Sequence, residues 1–292
     1  MTASNPFLPS MPAAPPASRA REDEVLQQAL ILLDKNRPQE AAQIAGQVLK
    51  AQPHLPRALY VLGCALIMQG RAAEALTPLD AAIRGRHDAE IETMLAIALR
   101  QAGRNEDALR RLKLATKRRP PYAGAFHELG RLLAAMQRDE EAIAAFRGGL
   151  AVAPMMPALS VQLGQIFLRQ RNCAEAKLAF ARALEIAPNS SEALFGLARA
   201  HQEIGENEPA ATYFRRYLAG RPGDQTAWLQ LGHCLLELGQ LEAGYDCFRK
   251  AAGGEAEAYG AALTSLSAAG RGRFWLKPSD ASRFMRRGPV SA

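Results

Sequence analysis

A chain of 292 residues with 48% hydrophobic but only 6% aromatic content can bury a large helical core, and it holds no apolar run of 18 residues that would span a bilayer. The net charge of +7 raises nucleic acid as a partner, yet six basic residues from Arg271 onward face Asp280 alone, a net of +5. A charge excess gathered at one end argues against a polyanion track along the rest.

Residues 1–20, MTASNPFLPSMPAAPPASRA, carry Pro6, Pro9, Pro12, Pro15 and Pro16, which exclude a continuous helix and predict a disordered Pro/Ala-rich arm. A PxxP ligand at Pro9, Pro12 and Pro15 is the functional alternative to a plain tail. There is no basic n-region followed by an apolar h-region and no lipoprotein-type cysteine, so a cytoplasmic chain is expected.

Residues 21–256 read as seven helical hairpins, about 22–55, 56–88, 89–122, 123–156, 157–190, 191–224 and 225–256. The pattern is clearest in 157–190. Leu163, Gly164 and Phe167 share one face of a first helix, Ala176, Phe180 and Ala183 share one face of a second, and Pro188 closes the unit. Two helix backbones approach closely only where small residues such as Gly164 and Ala176 stand between them, and Phe180 fills the space beside that contact. Sliding the pattern by about 34 residues recovers Leu129, Gly130, Ala142, Phe146 and Pro154 upstream, and Leu197, Ala198, Ala210, Phe214 and Pro222 downstream. Weaker copies extend it to both ends. The hairpin 22–55 is the least regular and is expected to cap the array; 56–88 runs one residue short, with His87 in place of the closing proline, which predicts an irregular junction. Asn36, Gly70, Gly103, Gly205 and Gly239 mark the turns inside hairpins, and Pro38 and Pro209 sit where a proline can start a second helix.

Gly253-Gly254 ends the last hairpin, and Tyr259, Leu263 and Leu266 predict a closing helix over 257–270. The basic-aromatic tail 271–292 interleaves Arg273, Phe274, Trp275, Arg286 and Arg287. It either folds its aromatics back on the closing helix, docks a partner, or touches anionic lipid or RNA.

The recurrence of small, small, aromatic and proline positions in step resembles the tetratricopeptide repeat (TPR) family over about 22–256, although Trp228 alone matches that family's early tryptophan. The resemblance implies an all-α TPR helical-hairpin solenoid, a right-handed superhelix with a C-terminal closing helix. It also implies a concave groove lined by positions 2, 5, 9, 12 and 13 of the first helices. Those positions give an apolar first half, with Leu30, Tyr60, Cys64, Ile67 and Ile97, and a second half rich in donors. The expected peptide groove comprises Tyr60, His127, Arg131, Gln165, Arg169, Phe195, Arg199 and His233. Arginine binds carboxylates bidentately and glutamine bonds peptide groups, so an extended acidic peptide is the expected ligand. The competing reading pairs these arginines with acids such as Glu192, Glu203 and Glu237, which keeps an empty groove solvated.

The lysine at position 5 and asparagine at position 9 with which some TPR proteins grip a chaperone's terminal carboxylate are missing. No Gly-rich phosphate loop, H-E-x-x-H, serine elbow or cysteine–histidine dyad is visible. Cys64, Cys173, Cys234 and Cys247 lie far apart and read as reduced thiols, and the histidines are scattered, so neither metal nor cofactor is implied. The sequence thus reads as a non-enzymatic interaction scaffold with a protein or peptide partner. Nucleic acid is disfavoured as a partner, and the oligomeric state is left open. The alternative is an accessory module for a separately encoded sulfotransferase or glycosyltransferase of surface polysaccharide metabolism.

Overall fold

The computed structural model describes residues 16–85 and 88–252, with side chains from Glu22 onward. Among the described residues the chain is helices and short turns, with no strand. It divides into two compact units, 1–136 and 137–292, and the division falls in the turn of the fourth hairpin. His87, the closing helix 257–270 and the tail 271–292, with Arg273, Phe274, Trp275, Arg286 and Arg287, lie outside the described residues.

The first unit holds α1 (Pro16–Asp34), α2 (Pro38–Ala51), α3 (Pro56–Met68), α4 (Ala72–Gly85), α5 (Ala89–Gln101), α6 (Asn105–Ala115) and α7 (Ala123–Ala135). Consecutive helices pack together, and α1 also touches α3, α3 touches α5 and α5 touches α7. This is the nearest-neighbour pattern of a repeat array. Helix α1 begins at Pro16, so residues 16–20 are helical where an arm was expected. The first helical position suits proline, whose missing N–H would have no intrahelical partner there. Pro78 is a second departure from the repeat pattern: it lies inside α4, buried, and withholds a backbone donor from the helix ladder.

The second unit holds α8 (Asp139–Val152), α9 (Pro157–Arg169), α10 (Cys173–Ile186), α11 (Ser191–Glu203), α12 (Asn207–Gly220), α13 (Gln225–Glu237) and α14 (Leu241–Ala252). Here too consecutive helices pack, and α9 touches α11.

Each hairpin turns through one residue of positive φ: Asn36, Gly70, Gly103, Gln137, Arg171, Gly205 and Gly239. The following amide reaches back to a carbonyl five residues earlier, as in Asn172 N–H to Phe167 O at 2.8 Å and Gln240 N–H to Leu235 O at 2.9 Å. These bonds satisfy carbonyls that the helix end would otherwise leave unpaired. Helices α2, α3 and α9 start on Pro38, Pro56 and Pro157, and α5, α10, α11 and α13 on the side-chain caps Asp88, Asn172, Ser190 and Asp224. Pro209 is the third residue of α12, still within its first turn.

The buried rows follow the sequence period. Leu79 and Leu112 in the first unit, and Phe146, Phe180, Phe214 and Phe248 in the second, are all at most 2% exposed. In the first unit a Cβ on Gly63 would meet Leu79 at 2.4 Å. Phe180 is enclosed more tightly, because a Cβ on Gly164 would meet its ring at 2.7 Å and one on Gly196 of the next hairpin at 2.3 Å. The Phe180 ring is therefore seated on small residues of two successive first helices.

Candidate functional site

In the second unit, Gln165 of α9 and Phe195 and Arg199 of α11 come together at the rim of a cavity of about 370 Å³. Their placement follows from the helices: Gln165 and Arg199 occupy equivalent positions on packed first helices, and Phe195 stands one turn before Arg199 on the same face. The inner wall is apolar. Phe195 meets the Phe214 ring edge-on at 5.6 Å between centroids and the Tyr217 ring at 5.2 Å. Tyr217 is fixed by donating its hydroxyl to Asp224 Oδ2 at 2.6 Å, and burial and that carboxylate both raise its phenol pKa. Its hydroxyl is thus a fixed, neutral donor.

The rim carries charge. Arg199 is 49% exposed on its side chain and donates from Nη2 to Glu203 Oε1 at 3.2 Å, the i,i+4 partner that the competing reading named. Arg221 donates from Nε to Ser191 Oγ at 3.2 Å, and Glu192 also lines the cavity. Two guanidiniums, Arg199 and Arg221, thus stand over the apolar wall with Glu192 and Glu203 beside them, so the charges at the rim balance. A single exposed ion pair contributes little to stability, so Arg199 can exchange Glu203 for another carboxylate at small cost.

The other expected residues lie elsewhere. Arg169 pairs with Asp139 at the start of α8 and does not line this cavity. His233 lies edge-on against Phe248 at 5.2 Å, half-buried, and burial pushes its imidazole pKa down against the opposing charge of Glu237. In the first unit, Tyr60 donates to Glu90 Oε1 at 2.7 Å, and burial pushes the neighbouring Cys64 thiol up to about 12. His127 and Arg131 both turn to Glu128 Oε1, at 3.3 and 3.0 Å, and Arg100 stands 3.8 Å from the other carboxylate oxygen. Burial alone would raise the Glu128 carboxyl, but the hydrogen bond from His127 and the charge of Arg131 hold it below the usual range. In the half expected to be apolar, Glu90 at the second position of α5 puts a carboxylate on the first-helix row, and Cys64 is buried.

The repeat positions do not mark a second set of charged residues. Arg84, Arg104, Arg110 and Arg111 gather around Asp80 and Asp107 between α4 and α6. A signal for them exists in the sequence, because residues 100–119 hold eight basic residues against Glu106 and Asp107, a net of +6. The expectation that the charge excess gathers at the C-terminal end averaged this segment with acidic ones.

Paired helices crossing on small residues, with a row of first-helix side chains above them, define a helical-repeat scaffold. The family model described as tetratricopeptide repeat matches residues 26–90, 93–155, 161–225 and 195–262, and the chain belongs to that family. Membership makes it a scaffold for protein interaction. No curated protein matches the chain by sequence. Among solved structures, pilF of Pseudomonas aeruginosa is 17% identical with a TM-score of 0.63 and covers 74% of this chain and 96% of its own. PilW, a type IV pilus biogenesis factor, is 18% identical with a TM-score of 0.61, over 72% of this chain and 97% of its own. The C-terminal part of a TPR repeat-containing protein from Cytophaga hutchinsonii is 13% identical with a TM-score of 0.59, over 88% and 98%. At these identities the likeness is one of fold. Among the described residues no helix is long and apolar enough to cross a membrane.

Proposed function

We propose that the second unit holds an extended, acidic segment of a partner protein on its first-helix face. The observation that carries this reading is the convergence of Gln165, Phe195 and Arg199 on one cavity with an apolar wall. An extended peptide presents a side chain and a peptide group to each repeat it crosses. Arg199 takes a carboxylate with its planar fork, Gln165 bonds a peptide group, and Phe195 with Tyr217 covers an apolar side chain. Gln165 and Arg199 are exposed and Phe195 is half-buried, so binding asks for little rearrangement of the fold.

The test is a crosslinked pull-down from the native cell with the wild-type chain, Arg199→Glu and a chain cut after Gly270. A partner recovered by the wild type and by the cut chain but lost with Arg199→Glu is the expected result. A partner that Arg199→Glu retains and the cut chain loses would move recognition to the basic tail and overturn the groove reading.

A further inference from the structure

The first unit has its own cavity, of about 710 Å³, between α4 and α6 and floored by α5. None of its lining residues belongs to the first-helix row expected to bind peptide. The floor is apolar, formed by the buried Leu95 and Leu99, and Leu114 stands at its edge with 49% of its surface exposed. Four arginines surround this floor. Arg84 Nη2 lies 2.7 Å from Asp80 Oδ2 and Arg111 Nη2 lies 3.4 Å from Asp80 Oδ1. Arg104 Nη2 lies 2.6 Å from Asp107 Oδ2, and Arg110 pairs with the other oxygen of Asp107. The hydrogen bond from Arg104, with the nearby charges of Arg110 and Arg111, holds the Asp107 carboxyl below its usual range.

Two carboxylates are thus shared among four guanidiniums. Each guanidinium has about five N–H donors and each carboxylate about four acceptor sites, so roughly twenty donors face roughly eight acceptors. The cluster keeps an excess of two positive charges beside a leucine floor. The second unit's recess between α12 and α14, of about 440 Å³, carries a smaller excess: Arg215 and Lys250 line it with Asp246, and Lys250 is already engaged over the Trp228 ring at 4.5 Å. No aromatic ring lines the first-unit cavity, so it offers no surface on which bases would stack. A leucine floor beneath spare guanidiniums matches a chain that carries apolar and acidic side chains together.

We propose that this cavity is a second docking site, for a partner-protein segment in which carboxylates flank a large apolar residue. The apolar residue seats on Leu95, Leu99 and Leu114. The carboxylates take the arginine donors that Asp80 and Asp107 leave over.

The test uses the full chain and three fluorescein-labelled probes at low salt: a peptide of glutamate and leucine, the same peptide with serine for leucine, and a single-stranded oligouridylate. Binding is read by anisotropy with Arg199→Glu as the reference chain, which removes the arginine of the first-helix face, and with Arg110→Glu plus Arg111→Glu, Leu114→Ser or Arg37→Glu added to it. The glutamate–leucine peptide is expected to bind best, to weaken about tenfold or more with the double variant, and to weaken about threefold or more with Leu114→Ser. Arg37→Glu, in the first unit but outside both cavities, is expected to leave it unchanged, which separates this site from a general charge effect. Should the double variant unfold, Arg110→Gln alone serves, because that side chain is 72% exposed. No binding of the glutamate–leucine peptide, equal binding of the serine peptide, tighter binding of the oligouridylate, or an equal loss with Arg37→Glu would each overturn the proposal.

Discussion

Phe180 depends on two glycines from different repeats. Gly164 belongs to the motif of its own hairpin, whereas Gly196 comes from the next one and was not among the expected packing positions. The ring fills the space that either Cβ would need, so Gly196→Ala is expected to cost about 1–3 kcal/mol through overpacking, and Phe180→Ala about 3–5 kcal/mol through the cavity it leaves. Urea denaturation checks both, and a neutral Gly196→Ala would show that the ring has room to shift. A second residue-scale prediction concerns His233, whose pKa burial lowers beneath 6.5. As pH falls through that value the unfolded chain takes up the proton before the folded one, so stability is full above it and declines below it. The His233→Gln variant is therefore expected to lose less stability than the wild type between about pH 7.5 and 5.5. An equal loss in both would assign the pH dependence to other groups.

The turn inside each hairpin is an element defined by one left-handed residue. Glycine takes that conformation freely, yet Arg171 occupies it at φ +57 between α9 and α10. Gly205 holds the equivalent place between α11 and α12, and a Cβ there would meet nothing within 4 Å. The two positions thus isolate the backbone effect from packing. Gly205→Ala is expected to lower stability by about 1–2 kcal/mol, and Arg171→Gly to raise it by about 0.5–1 kcal/mol once glycine's greater unfolded freedom is counted. Thermal melting of both variants checks this, and a destabilising Arg171→Gly would mean that the arginine side chain supports the turn. The glycine turns were legible in the sequence because glycine is itself the signal. The turns at Gln137 and Arg171 became visible only through φ, since those residues carry no turn signature.

Across the whole molecule, the side chains that pack and those proposed for recognition are different ones. The enclosed leucine and phenylalanine row carries the fold, while Arg131 and Arg199 stand about half exposed with one acidic neighbour each. Arg199→Glu is expected to shift stability by less than about 1 kcal/mol, because exposed ion pairs contribute little, whereas Arg131 partners the mostly buried Glu128. A loss as large as that of Phe180→Ala would place Arg199 in the packing. The sequence alone determined the family and the helical hairpins, because the same small and large residues must return wherever identical units bury one another. It also put Gln165, Phe195 and Arg199 on one face, since helical spacing is a local property. The tertiary structure decided which guanidiniums remain open to a ligand. Asp139 reaches Arg169 from 30 residues away, and Asp80 reaches Arg111 from 31, and no local spacing announces either pair. It likewise decided that the basic segment 100–119 would frame a leucine-floored cavity, because α4 brings Asp80 and Arg84 to α6 only when successive hairpins stack.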